Sequence, residues 1–426
     1  MEVPPMSATM TTRLPTATRT TRRLPRGAAF AAVAAIFVTF LAASSAPSPL
    51  YVVYQQQWGF SATTLTIVFA VYVAGLLGSL LVVGALSDHV GRRPVLASAV
   101  VLVAIALLLF MLAGDVVELA AARVLQGVAT GAAMTALGAA LVDLDPPHAP
   151  GRAGVINGVA PLSGLALGAI GCGALVQYGP APTHLIYGIL LAGMALSAAI
   201  IAVMPETAER RPGALASLRP RVGIPPRLRA DVIALVPMLV ASWALGGLYL
   251  SLGPSVAATI FGVHSHLVGG LVVTLLCGTG AATAFLLRTR PSAQVFATAG
   301  VLLAGGMVIT LIGVEATSGT VGAIGTAIAG VGFGASALGA FGTLARLAAP
   351  EERGEVFAVA YVISYVAFSI PAVIAGLAAT SVGLHDTAVV YAVVVIALSL
   401  AALVAQRAVA TRRAAAAAGE TADAAA

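Results

Sequence analysis

The densest group of chemically capable side chains is the string Gly84-Ala85-Leu86-Ser87-Asp88-His89-Val90-Gly91-Arg92-Arg93-Pro94. One carboxylate stands beside two guanidinium groups, and Asp88 can pair with a cation or accept from the free amides at a helix N-terminus. Gly84 and Gly91 allow close backbone approach and a tight turn, while Pro94 suits the first turn of a helix. Such a group forms an ionic latch that can be made and broken. A second group, Arg123-Val124-Leu125-Gln126-Gly127, sets a guanidinium and a carboxamide within an apolar run.

The elements that carry these groups follow from composition. Hydrophobic residues make up 59% of the chain and charged residues 9%, with a mean hydropathy of +1.01, against roughly 25% charged for an ordinary soluble domain. So few charges do not cover a water-facing surface. At about 20 apolar residues per crossing, 426 residues suffice for twelve membrane spans. Apolar runs predict spans near 28–54, 61–84, 94–113, 117–142, 153–178, 183–204, 231–252, 265–287, 294–314, 318–344, 355–380 and 386–406. The expected architecture is therefore an all-α integral membrane protein of 12 transmembrane helices in two pseudo-symmetric six-helix bundles, 28–204 and 231–406. A connector at 205–230 joins them, and disordered tails are expected at 1–27 and 407–426.

All 22 basic residues are arginine, which makes the net charge of +6 easy to place. Arg123 aside, they fall in the two tails, the connector and the even-numbered loops, including Arg92, Arg93, Arg152, Arg288, Arg290, Arg346 and Arg353. Positive charge in short loops stays on the cytoplasmic side. Both termini are thus expected in the cytoplasm, with the chain crossing the cell (plasma) inner membrane many times, and the basic balance reports topology rather than a nucleic-acid partner. Residues 12–46 imitate a cleavable secretory signal. Removing them would leave eleven spans and put Arg92 and Arg93 on the wrong side, so the segment is expected to remain as the first helix. Cys172 and Cys277 lie inside apolar spans, where a free thiol behaves as a small hydrophobe.

Arg123 is the one arginine away from the basic side. A charge deep in the bilayer costs at least about 2.5–3.5 kcal/mol and so faces water or a partner. The plainer alternative sets it near the interface, paired with Glu118 or Asp115. The two halves also look duplicated: Gly127-x-x-x-Gly131 recurs as Gly330-x-x-x-Gly334, and Arg92-Arg93-Pro94 is echoed by Arg288-Thr289-Arg290-Pro291. Transporters commonly build a site where such repeats meet. Polar or aromatic groups on otherwise apolar spans are candidate cavity linings: Asn157, Gln126, Trp243, Tyr249 and, on span eleven, Tyr361, Ser364, Tyr365 and Phe368. Spacings of three and four put the span-eleven group on one face. Packing or an interfacial belt produces the same stripe. Pro47, Pro49 and Pro371 are expected to bend their helices, and His264 and His266 have no neighbouring acids or thiols to complete a metal site.

The string from Gly84 to Arg93 resembles the loop-two signature of the major facilitator superfamily, Gly-x-Leu-x-Asp-Arg/Lys-x-Gly-Arg-Arg/Lys, with His89 in place of the usual cation. The resemblance implies two bundles rocking about a central cavity, gated by Gly84, Asp88, Gly91, Arg92 and Arg93. Arg123 to Gly127 resembles the family's Arg-x-x-Gln-Gly motif, which implies that Arg123 and Gln126 couple transport to protons. Gly164 to Gly173 is similar to the antiporter signature but departs from it at Ala169 and Cys172, and Pro205-Glu206-Thr207 matches a string common at the end of span six. The implied function is a secondary transporter, proton-coupled and exporting a drug, sugar or metabolite, with Asn157, Trp243, Tyr361, Ser364 and Tyr365 as candidate cavity residues. An uncoupled or importing permease and a non-transporting sensor are the alternatives. An ATP-driven pump is excluded for this chain, since a phosphate-binding loop needs lysine and there is none. No His-Glu-x-x-His is present and no enzyme is expected. A proton gradient would supply the energy, with no cofactor or metal, and the expected partners are a small organic solute and the lipid bilayer around a monomer.

Overall fold

The computed structural model describes residues 23–349 and 351–425. Most of the expected N-terminal tail, residues 1–22, lies outside the described residues. Among those described, twelve helices are long and apolar enough to cross a membrane. Spans one to six are Arg26–Trp58, Ala62–Val83, Arg92–Leu112, Val116–Asp143, Arg152–Tyr178 and Leu185–Val203. Spans seven to twelve are Pro226–Ser251, His266–Leu286, Ser292–Glu315, Gly319–Leu347, Arg353–Ser381 and Leu384–Val409. Leu112, Leu196, Ile374 and Val404 are among the large apolar side chains left on the outside, as the bilayer demands of a surface with no water to meet.

Local chemistry sets the helix ends. Ser61 and Asp115 accept from the first free amides of spans two and four, and Gly59 ends span one with a left-handed φ of 67°. Span one is two helices, Arg26–Ser45 and Pro47–Trp58, divided at Ala46. Pro47 has no N–H to give the carbonyl of Ala43 four residues back, which is the expected bend. Pro371 lies within the helix Arg353–Ser381. The last helix runs from Leu384 through Ala425, over the residues expected as a tail. Its run of five alanines from Ala414 explains this, since alanine has the strongest helix propensity of any residue.

The duplication is visible in packing. Gly127 and Gly131 of span four lie against the backbone of span two at Tyr72 and Leu76, and Gly330 and Gly334 of span ten lie against span eight at Leu276 and Gly280. Spans two and eight are repeat counterparts, so the same glycine pair seats the same neighbour in each half. A methyl group at these positions would meet backbone, which is why small residues dominate the contact. The bundles meet through spans two with eleven and five with eight.

Candidate gate and central site

The latch residues gather at the end of the molecule that carries the connector, called the basic end below. Asp88, about half exposed, forms an ion pair with Arg92 one turn on. Arg92 also donates from Nε to Asp143 Oδ2 at 3.2 Å and from Nη1 to Ser87 Oγ at 2.7 Å. Glu206 completes the group: its carboxylate accepts from the backbone N–H of Arg92 at 2.7 Å and of Arg93 at 3.1 Å. It therefore caps the N-terminus of span three, where free amides and the helix dipole favour an anion. Gly91, at φ 104°, makes the turn, and a side chain there would strike the Glu206 carboxylate. Gly84 ends span two where a side chain would strike the Leu80 carbonyl. Arg93 donates to the carbonyls of Ile201 and Ala202 at the end of span six. His89 is half-buried, and its carbonyl accepts from the connector's Arg211 N–H at 2.9 Å. All these partners belong to the first bundle or the connector beside it.

Arg123 is 1% exposed and lies inside the first bundle. It donates to the Ser44 carbonyl at 2.9 Å, to Gln126 Oε1 at 2.8 Å and to the Tyr51 hydroxyl at 2.5 Å. Its guanidinium also stands over the rings of Tyr51 and Tyr72, both 5.2 Å from the centroid, and of Phe110 at 5.8 Å. Three hydrogen bonds and ring contacts of about 0.5–2 kcal/mol each are of the size needed to hold a cation there. The alternative of pairing with Glu118 or Asp115 is ruled out. Those acids cap the helix instead, Asp115 accepting from Val117 and Glu118 amides and Glu118 from Gly114. Gln126 is fully buried and donates to the Ala43 carbonyl at 2.8 Å. It supplies the donor that Pro47 lacks, so the Arg-x-x-Gln string is fastened to the break in span one.

Of the candidate cavity residues, four come together: Trp243, Tyr361, Tyr365 and Phe368. Trp243 meets Tyr365 edge-on at 5.0 Å and Tyr365 lies 6.2 Å from Tyr361. The cluster continues through Phe341, Phe357 and Phe368 and crosses to Phe69 of the first bundle, 5.1 Å from Phe368. Ser364 is fully buried beside this wall with no partner for its Oγ. Asn157 stands apart, near the basic end of span five, bonded to the Gly138 carbonyl at 3.3 Å. Gln126 and Tyr249 do not line the wall; Tyr249 is buried within the second bundle and shares a 2.8 Å hydrogen bond with Thr326.

The bundles are fastened at the far end. Ser48 donates to the Leu250 carbonyl at 2.6 Å, Thr63 to the Gly376 carbonyl at 3.1 Å, and His266 N–H to Gln177 Oε1 at 3.0 Å. Thr274 reaches the Ala166 carbonyl at 2.9 Å. Gly173 of span five and Gly270 of span eight bring backbones into direct contact. Tyr365 to Met134 Sδ, at 3.5 Å, is the join nearest the basic end. Beyond it, Arg92 pairs with Asp88 and Asp143 within the first half, and Arg227 with Glu352 within the second. Hydrogen bonds and glycine contacts thus join the two halves at the far end.

The sequence matches the family model of the Major Facilitator Superfamily over residues 29–370. The chain belongs to the major facilitator superfamily. Its twelve spans in two pseudo-symmetric bundles are this superfamily's fold. Among solved structures it is similar to a bacterial homolog of the human lysosomal transporter Spinster in an inward-facing, unoccupied conformation. The TM-score is 0.70 at 14% identity, covering 90% of this chain and 97% of that one. It is also similar to the human organic anion transporter MFSD10 (TETRAN), with a TM-score of 0.64 at 18% identity, covering 89% of this chain and 100% of that one. Membership of this superfamily marks a multi-pass membrane transporter for a solute rather than an enzyme. Two parts of the gate escaped sequence reasoning. Glu206 was legible only as a family string, although a carboxylate right after an apolar run is a ready helix cap. Asp143 sat at a span end with nothing to mark its partner, 51 residues away.

Proposed function

We propose that the chain is a secondary transporter that exports a small, uncharged, largely apolar or aromatic organic solute by alternating access, in exchange for protons. The observation that carries the reading is an asymmetry of fastening: hydrogen bonds and glycine contacts join the bundles at the far end, while Arg92 and Arg227 at the basic end pair within their own halves. Rocking about a midplane site is how repeated bundles transport. On the topology expected from the arginines, the basic end faces the cytoplasm and this is the state that loads an exported solute. The Trp243–Tyr365–Tyr361 wall supports an aromatic solute, since rings gain about 0.5–1.5 kcal/mol per well-placed ring pair. Asp88 and Arg92, with Glu206 behind them, form the gate that must re-pair when the basic end closes.

The test is a reversible lock. The hydroxyls of Thr63 and Thr380 are 2.9 Å apart, so Thr63→Cys with Thr380→Cys, in a chain with Cys172 and Cys277 replaced, should cross-link on oxidation. Transport of aromatic solutes into everted vesicles is expected to stop on oxidation and return with reductant; unchanged transport in the cross-linked protein overturns the reading. Proton coupling is tested in the same vesicles loaded with a pH dye, comparing Asp88→Asn and Arg123→Ala with wild type. A second reading, uncoupled movement, is favoured by one fact: the buried charged side chains among the described residues are Arg92 and Arg123, both cations. Solute flux without proton flux selects that reading, and no flux over a broad panel selects a sensor.

A further inference from the structure

The second bundle holds a cavity of about 450 Å³ that belongs neither to the gate nor to the aromatic wall. Spans seven, eight, nine, ten and twelve surround it, and each packs on the next to close a ring: seven on eight, eight on ten, ten on nine, nine on twelve, twelve on seven. Its floor, at mid-depth, is the hydrogen-bonded pair of Tyr249 and Thr326. Its rim, at the far end, is the turn that carries Phe261 and Val263. Among the described residues no charged side chain lines it.

The duplicated first bundle shows what the same place holds when it is full. Spans one, three, four and six, counterparts of seven, nine, ten and twelve, fill it with Tyr51, Phe110, Arg123 and Tyr187, all 2% exposed or less. Phe110 and Tyr187 stack there at 5.1 Å. The positions 203 residues after Arg123, Tyr51, Phe110 and Tyr187 are Thr326, Pro254, Gly313 and Val390, none of them aromatic, and the cavity walls carry glycine and alanine at Gly253, Gly322, Ala323, Ala388 and Ala392. The fold therefore accommodates aromatic rings at this site in one half and leaves their space open in the other.

We propose that this cavity is a binding site, separate from the transport path, for a small uncharged aromatic molecule with one hydrogen-bonding group, entered from the far end. Its volume falls within the roughly 300–1,000 Å³ of small-molecule pockets. A dry apolar cavity takes up aromatic hydrocarbon readily. The Tyr249–Thr326 pair meets the single polar group, and the uncharged lining rejects an ion. Span seven at Leu250 and span eight at His266 also carry the far-end closure, so an occupant braces the closed far end.

Benzophenone is a suitable probe: two rings, one carbonyl, no charge, and photochemical insertion into neighbouring C–H bonds. The full chain in lipid nanodiscs is irradiated with it and the adducts mapped by peptide mass spectrometry. Adducts are expected on Val272, Leu275 and Met307. Ala323→Phe, which fills the space, is expected to reduce them at least tenfold while labelling of lipid-facing Leu286 stays constant. Ala257→Leu fills the rim instead, and whichever variant melts like wild type decides the point. Thr326→Val keeps the space but removes the hydroxyl, and is expected to weaken labelling roughly three- to tenfold, the worth of one hydrogen bond. Adducts that survive filling, adducts confined to lipid-facing residues, or labelling abolished by added phospholipid would each overturn the proposal, the last by making the occupant an acyl chain.

Discussion

Gln126 should act through the break in span one, and this can be measured as a coupling energy. Its carboxamide makes two buried hydrogen bonds, giving to the Ala43 carbonyl at 2.8 Å and accepting from Arg123 at 2.8 Å. Gln126→Leu keeps most of the volume and deletes both. In a soluble core each orphaned partner would cost about 1–3 kcal/mol. Hydrogen bonds inside membrane proteins measure lower, about 0.6 kcal/mol on average and up to about 1.7, because the unfolded chain in lipid also finds partners. The lower range governs here, so the expected loss is about 1–3 kcal/mol for the pair. The decisive variant is Pro47→Ala. It restores an N–H four residues beyond Ala43, so the carbonyl gains a donor within its own helix. In that background Gln126→Leu should cost less by about 1 kcal/mol. The assay is reversible unfolding in mixed micelles, followed by the fluorescence of Trp58, which stacks on Tyr54 at 4.7 Å. If the two substitutions add to within about 0.3–0.5 kcal/mol, the limit for independent sites, the link between span four and the proline break is refuted.

Glu206→Gln keeps the cap's shape and removes its charge from the amides of Arg92 and Arg93; melting should show a loss of about 0.3–1 kcal/mol at low salt that shrinks at about 1 M salt, where the Debye length is near 3 Å. Trp243→Ala removes the edge contacts to Tyr365 and Phe368, and should weaken competition by aromatic solutes for transport roughly tenfold, measured against unchanged competition by aliphatic ones. Gly376→Val would drive a side chain into Thr66 and the Ala62 carbonyl, so cross-linking between cysteines at 63 and 380 should fall sharply.

The spans were legible because an apolar run of fixed length is a one-dimensional signal, and the arginines sorted the loops for the same reason. The duplicated glycine pairs were legible too, and the structure shows why: each seats a counterpart helix against bare backbone. The candidate site was legible only where spacing along one helix decided the matter. Tyr361 and Tyr365 share a face of span eleven as their interval requires, but Phe341, Phe357 and Phe69 joined them through packing between helices, which no interval encodes. Asn157 and Gln126 read as cavity polar groups because a polar residue in an apolar run looks the same whether it meets solute or a neighbour's carbonyl. The proline at 47 was seen as a bend, while the donor that compensates it came from 79 residues away, at Gln126. The helix past 406 has no counterpart in the span signal because an alanine-rich end lacks the apolar run that marks a span, while alanine propensity favours a helix.

Glu206 closes the first six spans, opens the connector, and at the same time caps span three. The tether between the halves is thus knotted to the latch at its own root. Under the proposed rocking, a swing of the second bundle would pull through the tether on the Arg211–His89 bond and then on the carboxylate that steadies Arg92 and Arg93. A few slack glycines inserted between Leu218 and Arg219, beyond the bond from Arg211 to His89, would let the two halves move without the latch sensing it.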